Sequence, residues 1–230
     1  MTFKALADVK RVSPSAPYVI PFAAFLLFLA LADRLPVNPV WESPLRVILM
    51  GLICFYCWPR DCKWQVVAPA GGIAVGIAVF FLWIAPDLLI PGYRESAVFQ
   101  NRLLGQVHSS MTAAALQNWW VLAWRSIRAI VVVPVIEELF WRAWLMRWLI
   151  HPDFEKVPMG SYSPLSFFTV AVLFALEHGS YWDVGLLTGF IYNWWMIRTK
   201  SLGDCILLHA VTNACLCGYV IWAHQWQYWQ

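Results

Sequence analysis

One ten-residue stretch, residues 133–142, constrains this chain most, because it places two adjacent carboxylates and an arginine in an otherwise apolar segment. An ionisable side chain at the centre of a bilayer costs at least about 2.5–3.5 kcal/mol. Glu137, Glu138 and Arg142 therefore need partners, water or a chemical purpose. The rest of the fold must supply them.

The composition places this stretch in a membrane protein. Of the 230 residues, 61% are hydrophobic and only 13% are charged, whereas a soluble domain carries about 25% charged residues. The basic residues are scattered and the net charge is only +3, which argues against a nucleic-acid partner. Repeats, low-complexity tracts and Pro-, Gly- or Ser-rich linkers are not evident. We therefore predict an all-α, polytopic transmembrane helix bundle, with residues 1–230 as a single membrane domain.

The apolar segments predict about seven spans, with a polar loop or interfacial helix at 91–118. Pro134 predicts a kink before the glutamates, because proline removes one helical hydrogen bond. Gly72 and Gly76 predict a close helix contact in lipid. By the positive-inside rule, the distribution of Lys and Arg between the loops puts the N-terminus in the cytoplasm. The predicted spans are 18–32, 45–58, 66–90, 119–150, 165–178, 184–197 and 202–223.

Helical spacing separates the roles of the two glutamates. Glu138 and Arg142 are i and i+4 on one helix face, so they can pair. Glu137 is rotated by about 100° from Glu138 and is left to face a cavity, where it can accept a proton from water. The alternative is that both acids only lock helices together through arginines.

Two histidines on separate predicted spans complete the constellation. His178 ends the fifth span, and His209 with Asn213 lie one turn apart in the seventh. A lone histidine in a membrane helix is more often a packing residue, but this group also includes a carboxylate pair. Glu177 is expected to pack between helices or to support the site from behind, since it is offset by about 100° from His178 on an ideal helix. Asn193 is assigned to a helix contact.

Three motifs in order, E-E-x-x-x-R at 137–142, F-x-x-x-H at 174–178 and H-x-x-x-N at 209–213, resemble the CPBP family of intramembrane proteases. This family includes CAAX prenyl endoproteases and bacteriocin-processing enzymes. The resemblance covers 119–219, which would be the catalytic core. The longer sequence segments around these motifs resemble the bacterial branch associated with exosortases and PEP-CTERM proteins.

The resemblance implies an endopeptidase that cuts a peptide or membrane-anchored protein near the lipid, in a bacterial inner membrane, with a possible link to an exosortase system. It implies that Glu137 activates water with help from His178, and that His209 and Asn213 stabilise the oxyanion. Glu138 and Arg142 would orient the site.

Several alternatives stay open on sequence grounds. We favour a metal-free glutamate protease, although zinc held by Glu137, His178 and His209 would leave an open position for water. A non-catalytic scaffold or immunity-type protein of the same fold is the main competing function. A transporter ranks third, because two similar halves are not evident.

Overall fold

The structure is a computed structural model that describes residues 13–31, 37–60, 62–101, 104–105, 107 and 109–229. In these ranges the secondary structure is helical, and the only ladder pairing is an isolated bridge between Asn101 and Gly105. The all-α prediction is confirmed. The helices are α1 (Ala16–Leu31), α2 (Pro39–Cys57), α3 (Pro69–Leu89), α4 (Ala113–Leu116), α5 (Trp119–Trp148), α6 (Pro164–Glu177), α7 (Trp182–Thr199) and α8 (Leu202–Ala223).

Four of these helices, α2, α3, α5 and α8, are long and apolar enough to cross a membrane, while α1 and α6 are shorter apolar helices. Large apolar side chains on the outside of the bundle, such as Phe55 at 76% and Trp222 at 81% exposure, suit contact with lipid. Each of the seven predicted segments overlaps a helix. The count of seven spans is not confirmed, because only four helices meet the length and hydropathy needed.

Helix starts follow capping residues more than hydropathy. The Asn38 side chain accepts from the Val40 N–H, and Pro39 occupies the first turn, as expected for a helix N-terminus. Helix α2 therefore begins six residues before the predicted 45–58 segment. The salt bridge between Glu42 and Arg46 in its first turns also keeps these charged residues helical.

Glycines allow two close helix contacts. A Cβ atom on Gly76 would lie 2.7 Å from the Leu208 carbonyl oxygen, and one on Gly189 would lie 2.9 Å from the Ala171 Cα atom. Both distances are too short for any residue but glycine, so α3 packs tightly on α8 and α7 on α6. The close approach predicted from the glycine spacing is found at Gly76, whereas a Cβ on Gly72 would make ordinary contacts.

Helix α5 is interrupted by two π-helical segments, Arg128–Val132 and Leu139–Leu145, which flank the α-helical turn Val133–Glu138. The Val133 N–H donates to the Arg128 carbonyl oxygen, five residues back. The irregularity begins just before Pro134, which has no N–H to donate. π-Helical turns change the direction of neighbouring side chains and often occur at functional sites.

The segment 91–118 forms short turns and α4 rather than a span, in so far as it is described. Arg94 is buried there and joins α3 to α7, because its guanidinium binds Asp87 at 3.0 Å and Asp183 at 2.9 Å. Burial alone would lower the pKa of Arg94, but the hydrogen bond and charge of Asp183, with the charge of Asp87, raise it. The Tyr228 hydroxyl also donates to Asp87 at 2.7 Å, which ties the C-terminal segment to this network.

The predicted cytoplasmic N-terminus stays a prediction. Arg147 is one of the basic residues that the positive-inside rule places on the cytoplasmic side, but it is buried and donates to the Ala143 carbonyl and the Tyr18 hydroxyl. It packs inside the bundle and gives weak evidence on topology. Five other charges used in that argument lie outside the described residues: Lys4, Lys10, Arg11, Arg34 and Arg102.

Candidate active site

A cavity of about 320 Å³ lies among α1, α3, α5, α6, α7 and α8. Four of the residues predicted from the motifs line it: Glu137, His178, His209 and Asn213. These residues are separated by up to 76 positions in the sequence, so the packing of α5, α6 and α8 brings them together. The arrangement places a carboxylate, two imidazoles and an amide on the wall of one chamber.

Glu138 and Arg142 do not line this cavity but lie behind it. Both side chains are fully buried, and their salt bridge measures 3.1 Å between Arg142 Nη1 and Glu138 Oε1. The guanidinium also donates through Nε to Asn193 Oδ1 at 3.2 Å and lies 4.5 Å above the Phe174 ring. The i,i+4 pair predicted from the sequence is therefore present.

Asn193 makes two specific side-chain hydrogen bonds in addition to the helix contact predicted for it. Its Oδ1 accepts from Arg142, and its Nδ2 donates to the Phe167 carbonyl at 2.8 Å. Asn193 is fully buried and connects α5, α6 and α7 through these two bonds. It helps to fix the position of Arg142, which in turn fixes Glu138.

His209 shares the same glutamate oxygen. Its Nδ1 lies 2.9 Å from Glu138 Oε1, and an ionised carboxylate can only accept, so Nδ1 carries the hydrogen. Glu138 Oε1 therefore contacts two residues, Arg142 on its own helix and His209 on α8.

His178 is oriented by the backbone. Its Nδ1 lies 2.7 Å from the Phe174 carbonyl oxygen, which also can only accept. Nδ1 is therefore the protonated nitrogen of the neutral ring, and Nε2 keeps a lone pair. The Trp83 and Phe174 rings pack against the imidazole, with centroids 5.3 and 4.6 Å away. His178 can accept a hydrogen bond from water in the cavity.

Glu137 differs from Glu138 in its partners. Oε2 of each glutamate has no hydrogen-bond partner among the described residues. Glu138 Oε1, however, contacts Arg142 and His209, whereas Glu137, at 5% exposure, has no such contact in the part of the chain that the structure describes. The two adjacent carboxylates thus have separate environments, one inside an ion-pair network and one on the cavity wall. This matches the rotation of about 100° between consecutive helical residues.

Asn213 is also on the cavity wall, but one of its donors is occupied. Its Nδ2 donates to the Ala129 carbonyl oxygen at 2.7 Å, within the first π-helical segment of α5. An amide has two N–H groups, so one remains for a ligand. The bond to Ala129 also fixes the orientation of the side chain.

Glu177 was expected to pack or to support the site from behind, and the structure places it on the cavity wall itself. Its Oε2 accepts from Trp141 Nε1 at 3.1 Å, while Oε1 has no partner among the described residues. The ideal-helix argument failed because α6 ends at Glu177, and His178 has non-helical angles of φ −87° and ψ 7°. A carboxylate next to a motif histidine at a helix end was the signal that could have revealed it.

A zinc site was the open alternative for this cavity. Among the described residues, no three His, Cys, Asp or Glu side chains are arranged to hold a metal ion. The Nδ1 atoms of His178 and His209 are engaged by Phe174 and Glu138, so only the Nε2 atoms could serve as ligands. The side chains as placed do not fit a metal centre.

Comparison with known proteins agrees with the motif reading. Residues 118–215 match the family described as Type II CAAX prenyl endopeptidase Rce1-like. No curated protein and no solved structure matches the chain. The matched segment runs from the start of α5 into α8 and contains all three motifs, whereas the exosortase-associated branch is not confirmed. Residues 118–215 are therefore similar to the Rce1-like family of CAAX prenyl endopeptidases, and the four long apolar helices fit an integral membrane protein.

Proposed function

We propose that this protein is an intramembrane endopeptidase in which Glu137 activates the attacking water. The observation that carries the proposal is the shared cavity, where Glu137 Oε2 is unengaged next to His178, His209 and Asn213. Glu138 is occupied by Arg142 and His209. Glu138 lies behind the cavity, whereas Glu137 lines it, so Glu137 is the better candidate.

The proposed reaction uses two proton transfers. A water held between Glu137 and Nε2 of His178 gives a proton to Glu137, and its oxygen attacks the carbonyl carbon of the peptide bond. The carbonyl π electrons move to oxygen and form an oxyanion. When the C–N bond breaks, the amine takes the proton from Glu137, which leaves a carboxylic acid and a free amine. General acid–base catalysis of this kind contributes about 10²–10⁴ in rate.

His209 and Asn213 are proposed to stabilise the oxyanion. In its protonated form His209 would donate through Nε2, while Glu138 accepts from Nδ1 on the other side of the ring. Asn213 would donate through the N–H that Ala129 does not occupy. One preorganised donor of this kind is worth about 10²–10³ in rate.

The side chains that line the cavity indicate the kind of substrate that it would accept. Phe25, Leu29, Trp83 and Leu216 give the chamber an apolar lining around its polar residues, which suits an apolar or membrane-anchored peptide. We include in the proposal a bacterial inner membrane, a cytoplasmic N-terminus and a functional link to an exosortase system. The catalytic core would be 119–219 within one membrane domain.

The direct test uses purified protein in nanodiscs. Peptides ending in a C-terminal CAAX sequence, with and without a prenyl group, are incubated with wild type and with Glu137→Gln. The second arm compares the termini of membrane proteins in cells that make either variant. Glu155→Gln is the matched control, because Glu155 is an exposed glutamate in a loop. We expect cleavage products with wild type and Glu155→Gln only.

A result in which Glu137→Gln cuts as well as wild type contradicts the proposal. Full rescue of a deletion phenotype by a Glu137→Gln/His178→Ala double variant would favour the non-catalytic scaffold instead. Proteoliposome uptake that survives loss of Asn213 would favour a transporter.

A further inference from the structure

A second chamber of about 540 Å³ adjoins the catalytic cavity. The two share four lining residues, Leu29, Arg125, Arg128 and Glu177. The second chamber extends from this shared wall to α2 and to residues 110–115, beside α4. A ligand that occupies both chambers would therefore pass directly along the two arginines.

The shared wall carries positive charge. Arg125 and Arg128 are three residues apart on α5, and Arg46 of α2 lines the same chamber. Arg46 is paired with Glu42. Arg125 lies 5.2 Å from the Trp229 ring. The Arg128 guanidinium makes no hydrogen bond and no ion pair with any residue that the structure describes.

Three acidic side chains lie near this group, and none is hydrogen-bonded to it. Glu42 is paired with Arg46. Glu177 accepts from Trp141 through Oε2, and its Oε1 has no hydrogen-bond partner on the shared wall. Glu137 lines the catalytic cavity. A guanidinium within the membrane bundle is costly unless an anion or water compensates it, so Arg128 is ready to bind an anionic group of a ligand.

We propose that the second chamber binds a carboxylate of the peptide substrate, with Arg128 as the hydrogen-bonding residue and Arg125 as a supporting charge. This assignment rests on the proposed endopeptidase function and adds a substrate requirement to it. The planar fork of arginine matches a carboxylate through two parallel N–H donors. Ser43, Ser110 and Thr112 line the same chamber and add hydroxyl groups around the bound oxygens.

A lipid phosphate, like a peptide carboxylate, is an anion whose oxygens accept hydrogen bonds from a guanidinium. The shared wall favours the peptide, because Arg128 faces the chamber in which the scissile bond would lie as well as the second chamber. A group bound there and a bond cut at Glu137 would then belong to the same molecule. The experiment must still separate the two sources of the anion.

The test measures binding to the Glu137→Gln protein, so that it does not depend on turnover. The probes are two fluorescent, N-palmitoylated apolar hexapeptides that differ only in a free C-terminal carboxylate or a carboxamide, in phosphatidylcholine nanodiscs. A hydrogen bond to a charged group contributes about 1.5–3 kcal/mol, so we expect the acid to bind about 10- to 100-fold more tightly than the amide. Adding Arg128→Gln should bring the ratio close to one.

Arg198→Gln is the matched control, because Arg198 is an exposed arginine at the end of α7. It removes the same charge outside the chamber and should leave the ratio unchanged. The melting temperature of each variant shows that the protein is folded. Arg125→Gln should reduce the ratio less than Arg128→Gln does.

Equal binding of the acid and the amide to Glu137→Gln, or binding of neither, overturns the proposal. A ratio that Arg128→Gln leaves unchanged also overturns it. If Arg128→Gln instead removes only a dependence on added phosphatidylglycerol, the site holds a lipid phosphate and the peptide assignment is wrong. Selective binding of the acid by a wild-type protein that cuts nothing would count against the protease function and leave the binding site intact.

Discussion

Replacing Glu138 with glutamine tests whether the buried network behind the cavity has both a structural and a catalytic role. Glutamine keeps the shape and one acceptor oxygen, so hydrogen bonds to Arg142 and His209 remain possible. The change removes the negative charge and replaces one carboxylate oxygen with an NH₂ group. Both members of the Glu138–Arg142 pair are fully buried, so the guanidinium would be left without a counter-charge.

The structure sets the size of the effect. Removing one partner of a buried ion pair costs about 3–5 kcal/mol, because the remaining charge is uncompensated. Asn193 and the Phe174 ring still contact Arg142, so we place the loss of unfolding free energy at the lower end, about 3 kcal/mol. Adding Arg142→Met removes the orphaned charge and should recover most of this loss, since apolar replacements of buried pairs are often neutral.

Turnover should respond differently from stability. Without the carboxylate, the His209 ring is held less firmly at Nδ1, and the proposed oxyanion donor is weakened. The single variant should lose about 10²–10³ in turnover, the value of one such donor. The Glu138→Gln/Arg142→Met double variant should fold well and still turn over slowly.

The assay pairs SDS-induced unfolding in mixed micelles with peptide cleavage for wild type, both single variants and the double variant. A coupling free energy of about 2 kcal/mol or more between the two positions supports the buried pair. The reasoning is refuted if Glu138→Gln is as stable as wild type. It is refuted on the catalytic side if the double variant regains full turnover.

Three further outcomes are expected. Gly76→Ala should destabilise the protein by about 1–3 kcal/mol in the same SDS titration, because its Cβ would meet the Leu208 carbonyl, whereas Gly218→Ala has open space and should be neutral. Asp204→Ala should lower the melting temperature, since the carboxylate of this fully buried residue accepts from the backbone N–H groups of Val67 and Ala68 at 2.7 and 2.8 Å. Turnover should persist in 1,10-phenanthroline; complete loss that added zinc reverses would support the metal alternative.

The sequence predicted the helices and the main pair of the site because both depend on short-range spacing. Glu138 and Arg142 are one turn apart, so their pairing follows from helix geometry alone. The seven apolar segments each became a helix for the same local reason. The number of membrane spans could not be predicted from the same local pattern, since α1 and α6 are short and α7 does not meet the length and hydropathy needed.

The other features of the site could not be predicted, because they depend on contacts between residues that are far apart in the sequence. Asp204 is a carboxylate in an apolar helix, yet it caps the backbone of the segment before α3 rather than the active site. Glu177 was misassigned because the position of a helix end decides where its side chain points. Arg142 and His209 contact the same oxygen of Glu138 because α5 and α8 pack together. The spacing within either motif does not specify this packing.

The charged residues of segment 133–142 lie in two different environments. Arg142 is compensated by Glu138, and His209 approaches the same oxygen from α8, so Glu138 has a counter-charge even though its Oε2 has no hydrogen-bond partner among the described residues. Glu137 adds a further ionisable group that no described hydrogen bond at Oε2 supports, and burying such a group lowers stability. A position that served packing alone would be improved by an apolar residue. The cost is explained if Glu137 must remain free to take a proton from water, and Glu137→Leu should then stabilise the protein while it abolishes cleavage.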